Sequence, residues 1–336
     1  MSKRKLSRQQ AWRVSKIQED RRQRAAKHDA ESAAALASGE LGPEQDGLII
    51  AHYGTQVEVE AAGVSQRCHL RANLGGLVTG DRVVWCAGDP LGVVVARQSR
   101  QSELLRPDPY GDLKAMAANI DQIIVVIAPL PEPHAKQIDR YLVAAEEVSI
   151  QALILLNKND LLDSEQVSLM DDLLAPYPDL GYPLLSASSK TQQGLAELMQ
   201  ALSGHTSIFI GQSGVGKSSL VNALLPEAEL RVGELSQTRQ EGTHTTTTAR
   251  LFHLESGGTL IDSPGIREFG LWHMEREQVE NGFREFQALL GHCKFRDCRH
   301  LQEPGCALIE ASQTGAVSRR RLASYRDIID SLQDKL

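Results

Sequence analysis

The chain has 336 residues, of which 41% are hydrophobic and 24% charged, and its formal net charge is −7 at pH 7. This composition excludes a largely disordered chain and leaves room for two or three modest hydrophobic cores. No segment approaches the roughly eighteen apolar residues of a membrane-spanning helix, and the N-terminal residues are basic where a signal peptide would be apolar. We therefore expect a cytoplasmic protein with no membrane association.

The charge is unevenly distributed along the chain. Residues 1–30 carry ten basic and three acidic side chains, so this arm has a charge of +7 and the remainder a charge of −14. A basic arm on an acidic body can bind a phosphate backbone locally. The alternative is a solvated tail without a partner. We place a basic N-terminal extension at residues 1–40.

Short runs of alternating or β-branched residues follow, separated by turns that contain glycine. They predict four or five strands between residues 41 and 106, which is typical of a small β-barrel. The pattern alone does not distinguish an OB fold from an SH3-like barrel. Two of the five cysteines, Cys68 and Cys86, lie in these predicted strands, where we expect them to pack in the core.

Residues 107–272 have a different pattern. Apolar runs such as IDQIIVVIAP and QALILLNKND suit strands that are buried on both faces, and they alternate with segments of helical periodicity such as HAKQIDRYLVAAEEVS. Alternating strands and helices predict a parallel sheet covered by helices. We therefore expect an α/β domain over these residues.

A phosphate-binding loop is the most specific motif of this region. The segment GQSGVGKS fits the pattern G-x-x-x-x-G-K-[ST], with an apolar strand before it and an amphipathic helix after it. Its glycines let backbone N–H groups converge on phosphates, Lys217 adds a positive charge, and the Ser218 hydroxyl can bind Mg²⁺. The predicted nucleotide contacts are Gly211, Gln212, Ser213, Gly214, Val215, Gly216, Lys217, Ser218 and Ser219.

The segment NKND at residues 157–160 indicates which base is bound. The Asp160 carboxylate can accept from N1–H and from the 2-amino group of guanine, whereas adenine offers no such pair of donors. Asn157 can serve the Hoogsteen edge of the base, and the stem of Lys158 can cover the ring. A second loop, SAS from Ser186 and Ala187, could offer a backbone N–H to guanine O6. The alternative for that loop is an ordinary connection without a ligand.

Two further segments correspond to switches that sense the nucleotide. Asp262 of the DSPG segment would hold Mg²⁺ through water, and the Gly265 N–H would sense the γ-phosphate. The Thr-rich run GTHTTTT would supply either Thr245 or Thr246 to Mg²⁺ in the triphosphate state. The Thr-rich run also suits the start of a strand, and we favour that interpretation for its last members.

The water that attacks the γ-phosphate needs an orienting group. Residue 266 is isoleucine where Ras-like enzymes have a glutamine for this task. His244, beside the threonine candidates, is the nearby side chain that can orient the water, and a polar loop histidine without a role is the alternative. We therefore expect slow intrinsic hydrolysis that needs a partner to order the loop.

The motifs occur in a rotated order. The base reader comes first, then the second base loop, the phosphate loop, the Thr-rich switch and DSPG, whereas the base reader normally follows the phosphate loop. Strand ends that lie near one another on a sheet can be rejoined without changing the core. We therefore predict a circularly permuted G domain whose second switch leads directly into the C-terminal region.

The C-terminal region, residues 273–336, is predicted to be helical around a metal site. Three thiolates and an imidazole within the segment CKFRDCRHLQEPGC suit a tetrahedral structural Zn²⁺. Basic neighbours argue against burial of these cysteines as small apolar residues, which is the alternative. His292 is an alternative imidazole ligand. The predicted ligands are Cys293, Cys298, His300 and Cys306.

The combined pattern resembles the bacterial ribosome small subunit-dependent GTPase A (RsgA) family over nearly the whole chain. The resemblance is carried by the basic arm, the small barrel, NKND, GQSGVGKSS, GTHTTTT, DSPG and CKFRDCRHLQEPGC. It implies an OB fold that binds RNA, a circularly permuted GTPase domain and an α-helical zinc-binding domain. The family histidine of the Thr-rich switch maps to His244. The second base loop departs from the family pattern, since it reads SAS where SAK is common.

The resemblance also implies a function. It implies binding of GTP and GDP with Mg²⁺, GTP hydrolysis stimulated by the 30S ribosomal subunit, contact with 16S rRNA and a role in late maturation of that subunit. The barrel, the arm and the zinc module could share recognition of structured RNA. Arg319, Arg320 and Arg321 of the last predicted helix would add phosphate contacts or form a solvated helix face. We expect a monomer.

Two other functions remain open on the sequence. The chain could be an RNA-binding assembly factor whose bound nucleotide is a passive ligand. It could also be a guanine-nucleotide-binding factor for the large subunit or for another RNA, because the G domain would be the same. The hydrolysis step separates the first alternative from an RNA-activated GTPase, and the choice of subunit separates the second.

Overall fold

The computed structural model of the protein describes residues 41–71, 74–108, 112–225, 249–262 and 274–333. Outside these residues lie the predicted basic extension and the switch residues His244, Thr245, Thr246 and Gly265. The chain divides into two compact units between Arg100 and Gln101. The domain boundaries predicted at residues 106 and 272 remain predictions.

The first unit contains a closed five-stranded barrel. Neighbouring strands pair in the order β1-β2-β3-β5-β4-β1, with β3 and β5 parallel and all other pairs antiparallel. This strand order is that of an OB fold, which resolves the choice that the sequence left open. The strands are β1 Leu41–His52, β2 Gln56–Ala61, β3 Val64–Leu70, β4 Arg82–Gly88 and β5 Gly92–Arg97.

The barrel interior is closely packed around Trp85. A Cβ atom on Gly47 would lie 2.4 Å from Val59 Cγ1 and 2.6 Å from Trp85 Nε1, so only glycine fits at this point of β1. Cys68 and Cys86 are both buried, as the sequence predicts. The β-branched and small residues of the predicted strands therefore form one apolar core.

The second unit begins with a hairpin of β6 and β7 and continues into a parallel sheet. The sheet order is β10-β9-β8-β11-β13-β12, and only β12 runs antiparallel to its neighbour. All six residues of β8 are buried, which confirms the interpretation of IDQIIVVIAP as a strand covered on both faces. The strands are β6 Glu103–Pro107, β7 Leu113–Ala118, β8 Gln122–Ile127, β9 Gln151–Leu156, β10 Leu184–Ser186, β11 Thr206–Ile210, β12 Arg250–His253 and β13 Thr259–Asp262.

Helices connect these parallel strands. The longest, α1, spans 13 residues and turns an apolar stripe that includes Ile138 and Leu142 towards the interior. Helix α2 begins with a capping box, in which Asp163 and Gln166 satisfy each other's backbone N–H groups. The helices are α1 Ala135–Glu147, α2 Ser164–Leu174, α3 Pro176–Asp179, α4 Leu195–Leu202 and α5 Lys217–Leu224, with a 3₁₀ turn at Asn159–Leu161.

The C-terminal region is helical, as predicted, and packs on α1. Phe283 and Phe286 stack with ring centroids 4.7 Å apart, and the Tyr325 ring meets both edge to face. Val143 and Ala144 of α1 belong to the same buried cluster. The C-terminal helices are α6 Arg276–Asn281, α7 Ala307–Thr314 and α8 Arg319–Gln333, with a 3₁₀ turn at Arg284–Phe286.

The arginines that begin α8 differ from the sequence interpretation, which expected phosphate contacts or a solvated helix face. Arg321 is fully buried and binds carboxylates, so it is neither a phosphate contact nor part of a solvated face. Arg320 donates to the Asp172 and Leu173 carbonyls at the end of α2. Sequence periodicity could not reveal these contacts, because their partners lie about 150 to 180 positions away.

Within the described residues, no helix combines the length and the apolar character that crossing a membrane would require.

Candidate nucleotide site and metal centre

The predicted phosphate loop lies between β11 and α5, at the carboxyl edge of the sheet. Gly211, Gly214 and Gly216 have positive φ angles of 142°, 87° and 96°. A Cβ atom on Gly211 would lie 2.2 Å from the Val126 carbonyl oxygen, and one on Gly216 would lie 2.4 Å from Asn157 Nδ2. Both the left-handed backbone and the crowding therefore require glycine here.

Lys217, the first residue of α5, is buried under this loop. Its ammonium donates to the carbonyls of Gly211 at 2.6 Å and Gln212 at 2.8 Å. These bonds hold the positive charge inside the curve of the loop, next to the N-terminus of a helix. Backbone N–H groups, a helix N-terminus and an ammonium together form a site for phosphate oxygens.

The predicted base reader lies against the phosphate loop. Asn157 is fully buried at the end of β9, and its Nδ2 donates to the Val215 carbonyl at 2.8 Å. Lys158 has a left-handed backbone, and its ammonium donates to the Gly214 carbonyl at 2.6 Å. The structure therefore brings together two segments that are separated by more than fifty positions in the chain.

Asp160 is held by a serine from the second base loop. Ser188 Oγ lies 2.6 Å from Asp160 Oδ1, and it accepts the backbone N–H groups of Lys190 at 3.2 Å and Thr191 at 3.1 Å. Because the oxygen already accepts two N–H groups, its own proton points to the carboxylate. The Lys190 ammonium lies 3.9 Å from Asp160 Oδ2.

The second base loop continues β10. The Ala187 N–H donates to the Leu156 carbonyl at 2.8 Å, and the Ser188 N–H donates to the Gln193 carbonyl at 2.9 Å. Ser186 Oγ accepts from Asn159 Nδ2 at 3.2 Å. The sequence interpretation missed the contact of Ser188 with Asp160. A signal for it was present, since shifting the SAS pattern by two residues gives SSK and restores the lysine.

The predicted magnesium residues within the described residues lie at the same edge of the sheet. Ser218 follows Lys217 in the first turn of α5 and is exposed. Asp262 is the last residue of β13, and β13 pairs in parallel with β11, which leads into the phosphate loop. Carboxyl ends of adjacent parallel strands meet at one edge, so the Asp262 side of β13 borders the phosphate loop.

The four predicted metal ligands form one cluster in the C-terminal region. Their ligand atoms all lie within 4.8 Å of one another, so the cluster could hold a metal ion. His300 Nδ1 lies 3.5 Å from the Cys293 sulfur and 3.3 Å from the Cys306 sulfur, and the two sulfurs are 3.9 Å apart. The cluster also includes Cys298, whereas it does not include His292.

The surroundings of the cluster fix the backbone of its histidine. His300 has a left-handed φ of 59°, and its carbonyl accepts from Arg326 Nε at 3.0 Å and Nη2 at 2.9 Å. The adjacent Glu303 carboxylate accepts N–H groups of the same loop. Backbone hydrogen bonds, first from its own N–H and then from those of Arg299 and Leu301, lower the pKa of Glu303 to about 2. Hydrogen bonds with Glu303 and Arg326 therefore hold the loop that carries the predicted ligands.

Comparison with known proteins identifies the family. The sequence model of the RsgA GTPase family matches residues 97–272. Proteins called small ribosomal subunit biogenesis GTPase RsgA are 60% identical in Azotobacter vinelandii and 58% identical in Pseudomonas aeruginosa PAO1, with 99% of each chain covered. The chain belongs to the RsgA GTPase family. The resemblance inferred from the motifs is thereby confirmed.

Solved RsgA-like structures agree with the fold. YjeQ from Thermotoga maritima has a TM-score of 0.72 at 31% identity and covers 87% of this chain and 99% of its own. YloQ, described as a circularly permuted GTPase, has a TM-score of 0.69 at 29% identity and covers 88% of this chain and 96% of its own. The expected architecture of OB barrel, permuted G domain and helical C-terminal region is confirmed.

Membership of the RsgA family makes this chain a GTP hydrolase. The order of its elements fits a permuted enzyme of this kind, because β9 reaches the base reader before β11 reaches the phosphate loop. A GTPase also implies Mg²⁺, which binds phosphate oxygens and neutralises charge on them. The described residues suited to that ion are the Ser218 hydroxyl and the Asp262 carboxylate.

Proposed function

We propose that this chain binds the small ribosomal subunit in its GTP state, hydrolyses GTP when the subunit stimulates it, and acts in late maturation of that subunit. The observation that carries the proposal is the contact of the base reader with the phosphate loop, through Asn157 with Val215 and Lys158 with Gly214. The relatives are named small ribosomal subunit biogenesis GTPase, and this name indicates the particle on which the chain would act. A ribosomal subunit would also place the protein in the cytoplasm.

Guanine would be read by Asp160, with Asn157 on the Hoogsteen edge. Ser188 would orient the carboxylate so that its other oxygen lone pairs meet N1–H and the 2-amino group. The sequence assigned Ser186 and Ala187 to O6. Because the Ala187 and Ser188 N–H groups donate to protein carbonyls, the Ser189 N–H is the better donor for O6.

The phosphates would lie on the loop from Gly211 to Ser219. Lys217 would exchange its carbonyl acceptors for phosphate oxygens, since an anion is the stronger acceptor for an ammonium. Ser218 and Asp262 would hold Mg²⁺, together with Thr245 or Thr246 in the triphosphate state. The Gly265 N–H would sense the γ-phosphate.

His244 would orient the attacking water. The reason is the isoleucine at position 266, which cannot orient or accept a proton where Ras-like enzymes use glutamine. A histidine on a switch loop acts only when the loop is ordered. Stimulation by a partner that orders the loop follows from this arrangement.

The metal in the cysteine cluster would be Zn²⁺ in a structural role. Two thiolates bound at about 2.3 Å to a tetrahedral Zn²⁺ lie about 3.8 Å apart. The Cys293 and Cys306 sulfurs are 3.9 Å apart, which fits that geometry. Four protein ligands would fill the coordination sphere, so the ion would hold the fold and take no part in hydrolysis.

The metal-bearing loop would contribute to rRNA binding. Phe295 is 43% exposed and Leu301 is 37% exposed, and three basic side chains, Lys294, Arg296 and Arg299, lie in the same loop. An exposed aromatic ring among cations suits an unpaired base next to phosphates. The OB barrel is a second candidate for RNA contact, because such barrels bind oligonucleotides.

The test is GTP turnover by the purified protein alone, with 30S subunits and with 50S subunits. We expect stimulation of tenfold or more by 30S alone, and co-sedimentation with 30S in a non-hydrolysable GTP analogue but not in GDP. Equal turnover under all three conditions would contradict the proposal. Stimulation by 50S alone would favour the large subunit as the partner.

His244→Ala separates an enzyme from an assembly factor with a passive nucleotide. We expect this variant to bind 30S in GTP and to stay bound, because release would need hydrolysis. Thr247→Ala, in the same Thr-rich run, is the control. Release of the His244→Ala variant at the rate of the unaltered protein would support the passive alternative.

A further inference from the structure

One buried arginine joins the C-terminal region to helix α1. Arg321 Nη1 lies 2.6 Å from Asp139 Oδ1 in α1, and its Nε and Nη2 lie 2.7 and 3.0 Å from the two carboxylate oxygens of Glu285. Both Arg321 and Asp139 are fully buried, and Tyr177 donates its hydroxyl to the same Asp139 oxygen at 2.8 Å. A buried charge pair of this kind is held in one geometry by its hydrogen bonds.

Further contacts fix the same face. Arg284 donates to Glu146 Oε1 near the end of α1, with Nη2 at 2.7 Å and Nε at 2.8 Å, and its Nη1 donates to the Leu180 and Gly181 carbonyls at 3.0 Å. A Cβ atom on Gly282 would lie 2.6 Å from Val143 Cγ1, which shows how closely the backbone after α6 approaches α1. The C-terminal region therefore contacts α1 at several points from Asp139 to Glu146.

The N-terminal end of α1 lies at the nucleotide site. The loop between β8 and α1 includes Leu130, whose carbonyl accepts from the Lys158 ammonium at 2.9 Å. The same ammonium donates to the Gly214 carbonyl of the phosphate loop. Pro131 lies 3.6 Å from the position of a Cβ atom on Gly214, so the two loops are in contact. One lysine of the base reader thus bridges the phosphate loop and the start of α1.

A small cavity marks the same junction. It is lined by residues of the loop, of α1 and of the phosphate loop, among them Pro131, His134, Gln137, Gln212 and Val215. Its lining shows that the loop, the first turns of α1 and the phosphate loop lie next to one another. We therefore expect a displacement of the phosphate loop or of Lys158 to change the packing around the first turn of α1.

We propose that α1 couples the nucleotide site to the C-terminal region that carries the cysteine cluster. Arg321 is the residue that attaches this C-terminal region to α1. Guanine nucleotide fixes the loop before α1 through Lys158 and Gly214, and the C-terminal region fixes the body of α1 through Asp139 and Glu146. The nucleotide then binds next to a helix that the C-terminal region already holds in place, and the C-terminal region packs on a helix whose first turn the nucleotide holds in place. The coupling is reciprocal, so nucleotide strengthens the C-terminal region and the C-terminal region strengthens nucleotide binding.

This proposal rests on guanine nucleotide binding at the site described above, and amide hydrogen exchange with and without GDP and Mg²⁺ tests both. On the unaltered protein, GDP should slow exchange in the phosphate loop and also, by about fivefold or more, in α6 and α8, which lie outside the nucleotide site. Protection of the phosphate loop without change in α6 and α8 would overturn the coupling. No protection anywhere would instead contradict the proposed nucleotide site.

A variant pair gives the reciprocal measurement. Arg321→Met removes the buried attachment, whereas Arg319→Met alters an exposed arginine two positions earlier in the same helix. With metal content and far-ultraviolet circular dichroism as checks of folding, Arg321→Met should weaken binding of a fluorescent GDP analogue by about five- to tenfold. Arg319→Met should stay within twofold of the parent. A folded, metal-loaded Arg321→Met variant with parental affinity would overturn the coupling, and the exchange measurement decides the question if this variant does not fold.

Discussion

At the scale of single residues, the nucleotide site depends on groups that act through other groups. Ser188 touches no predicted ligand atom, yet its proton is directed to Asp160 because two backbone N–H groups occupy its oxygen. A carboxylate that accepts this hydrogen bond is held in one orientation. Under the proposed function, the specificity of the base reader would therefore depend on a residue outside the NKND motif.

Ser188→Ala is expected to weaken GDP binding about ten- to a hundredfold, since a hydrogen bond to a charged group contributes about 1.5–3 kcal/mol. The affinity for inosine diphosphate should fall less, because that nucleotide lacks the 2-amino group that an oriented Asp160 would bind. Fluorescence competition with both nucleotides measures the ratio.

Ser189→Ala is the matched control for this substitution, because it removes a neighbouring hydroxyl and keeps the backbone N–H. It should leave both affinities near those of the parent. Equal losses for GDP and inosine diphosphate in Ser188→Ala would indicate a general structural defect instead of a loss of base recognition.

At the scale of elements, the phosphate loop is shaped by what surrounds it as much as by its own sequence. Gly216 has a left-handed backbone, and its α-carbon lies against the amide of Asn157 from the base reader. The pattern G-x-x-x-x-G-K-[ST] predicts the positive φ. It does not predict the second constraint, which arises only when strand β9 brings the base reader alongside.

Gly216→Ala tests that constraint. A left-handed alanine costs about 1 kcal/mol, and its Cβ would also overlap the Asn157 amide at 2.4 Å. We expect the bond from Asn157 to the Val215 carbonyl to break and GDP affinity to fall more than tenfold, as measured by isothermal titration calorimetry. Gly204→Ala has a similar φ of 77° and open space around the new Cβ, so it should bind GDP like the parent. Matching affinities of the two variants would show that crowding by Asn157 has no effect.

At the scale of the whole molecule, the sequence predicted what contiguous segments determine and missed what distant segments determine. The barrel, the parallel sheet, the phosphate loop and the cysteine cluster follow from local patterns, and family membership confirms the fold. The burial of Arg321 does not, because its partner Asp139 is 182 positions away and three successive arginines look the same on a solvated helix. The contact of Ser188 with Asp160 was missed for the same reason, because it forms only when β10 pairs with β9.

One of the four predicted metal ligands also belongs to the buried core. Cys306 belongs to the buried cluster that contains Phe283 and Tyr325 of the C-terminal region and Val143 of α1. A metal ion bound by Cys306 would therefore stabilise a core that extends beyond the C-terminal region. Loss of the ion should destabilise the second unit as a whole.

His300→Ala tests this expectation with His292→Ala as its matched control. Removal of a ligand from a structural site loses several kcal/mol of folding free energy, so the thermal midpoint of unfolding should fall by at least about 5 °C. The zinc content should fall to less than about half of that of the parent protein. His292 lies outside the cluster, so its variant should keep both values. Plasma mass spectrometry and differential scanning calorimetry measure them. Zinc retained in His300→Ala and lost in His292→Ala would assign the imidazole ligand to the other histidine, and freshly purified parent without zinc would contradict the site itself.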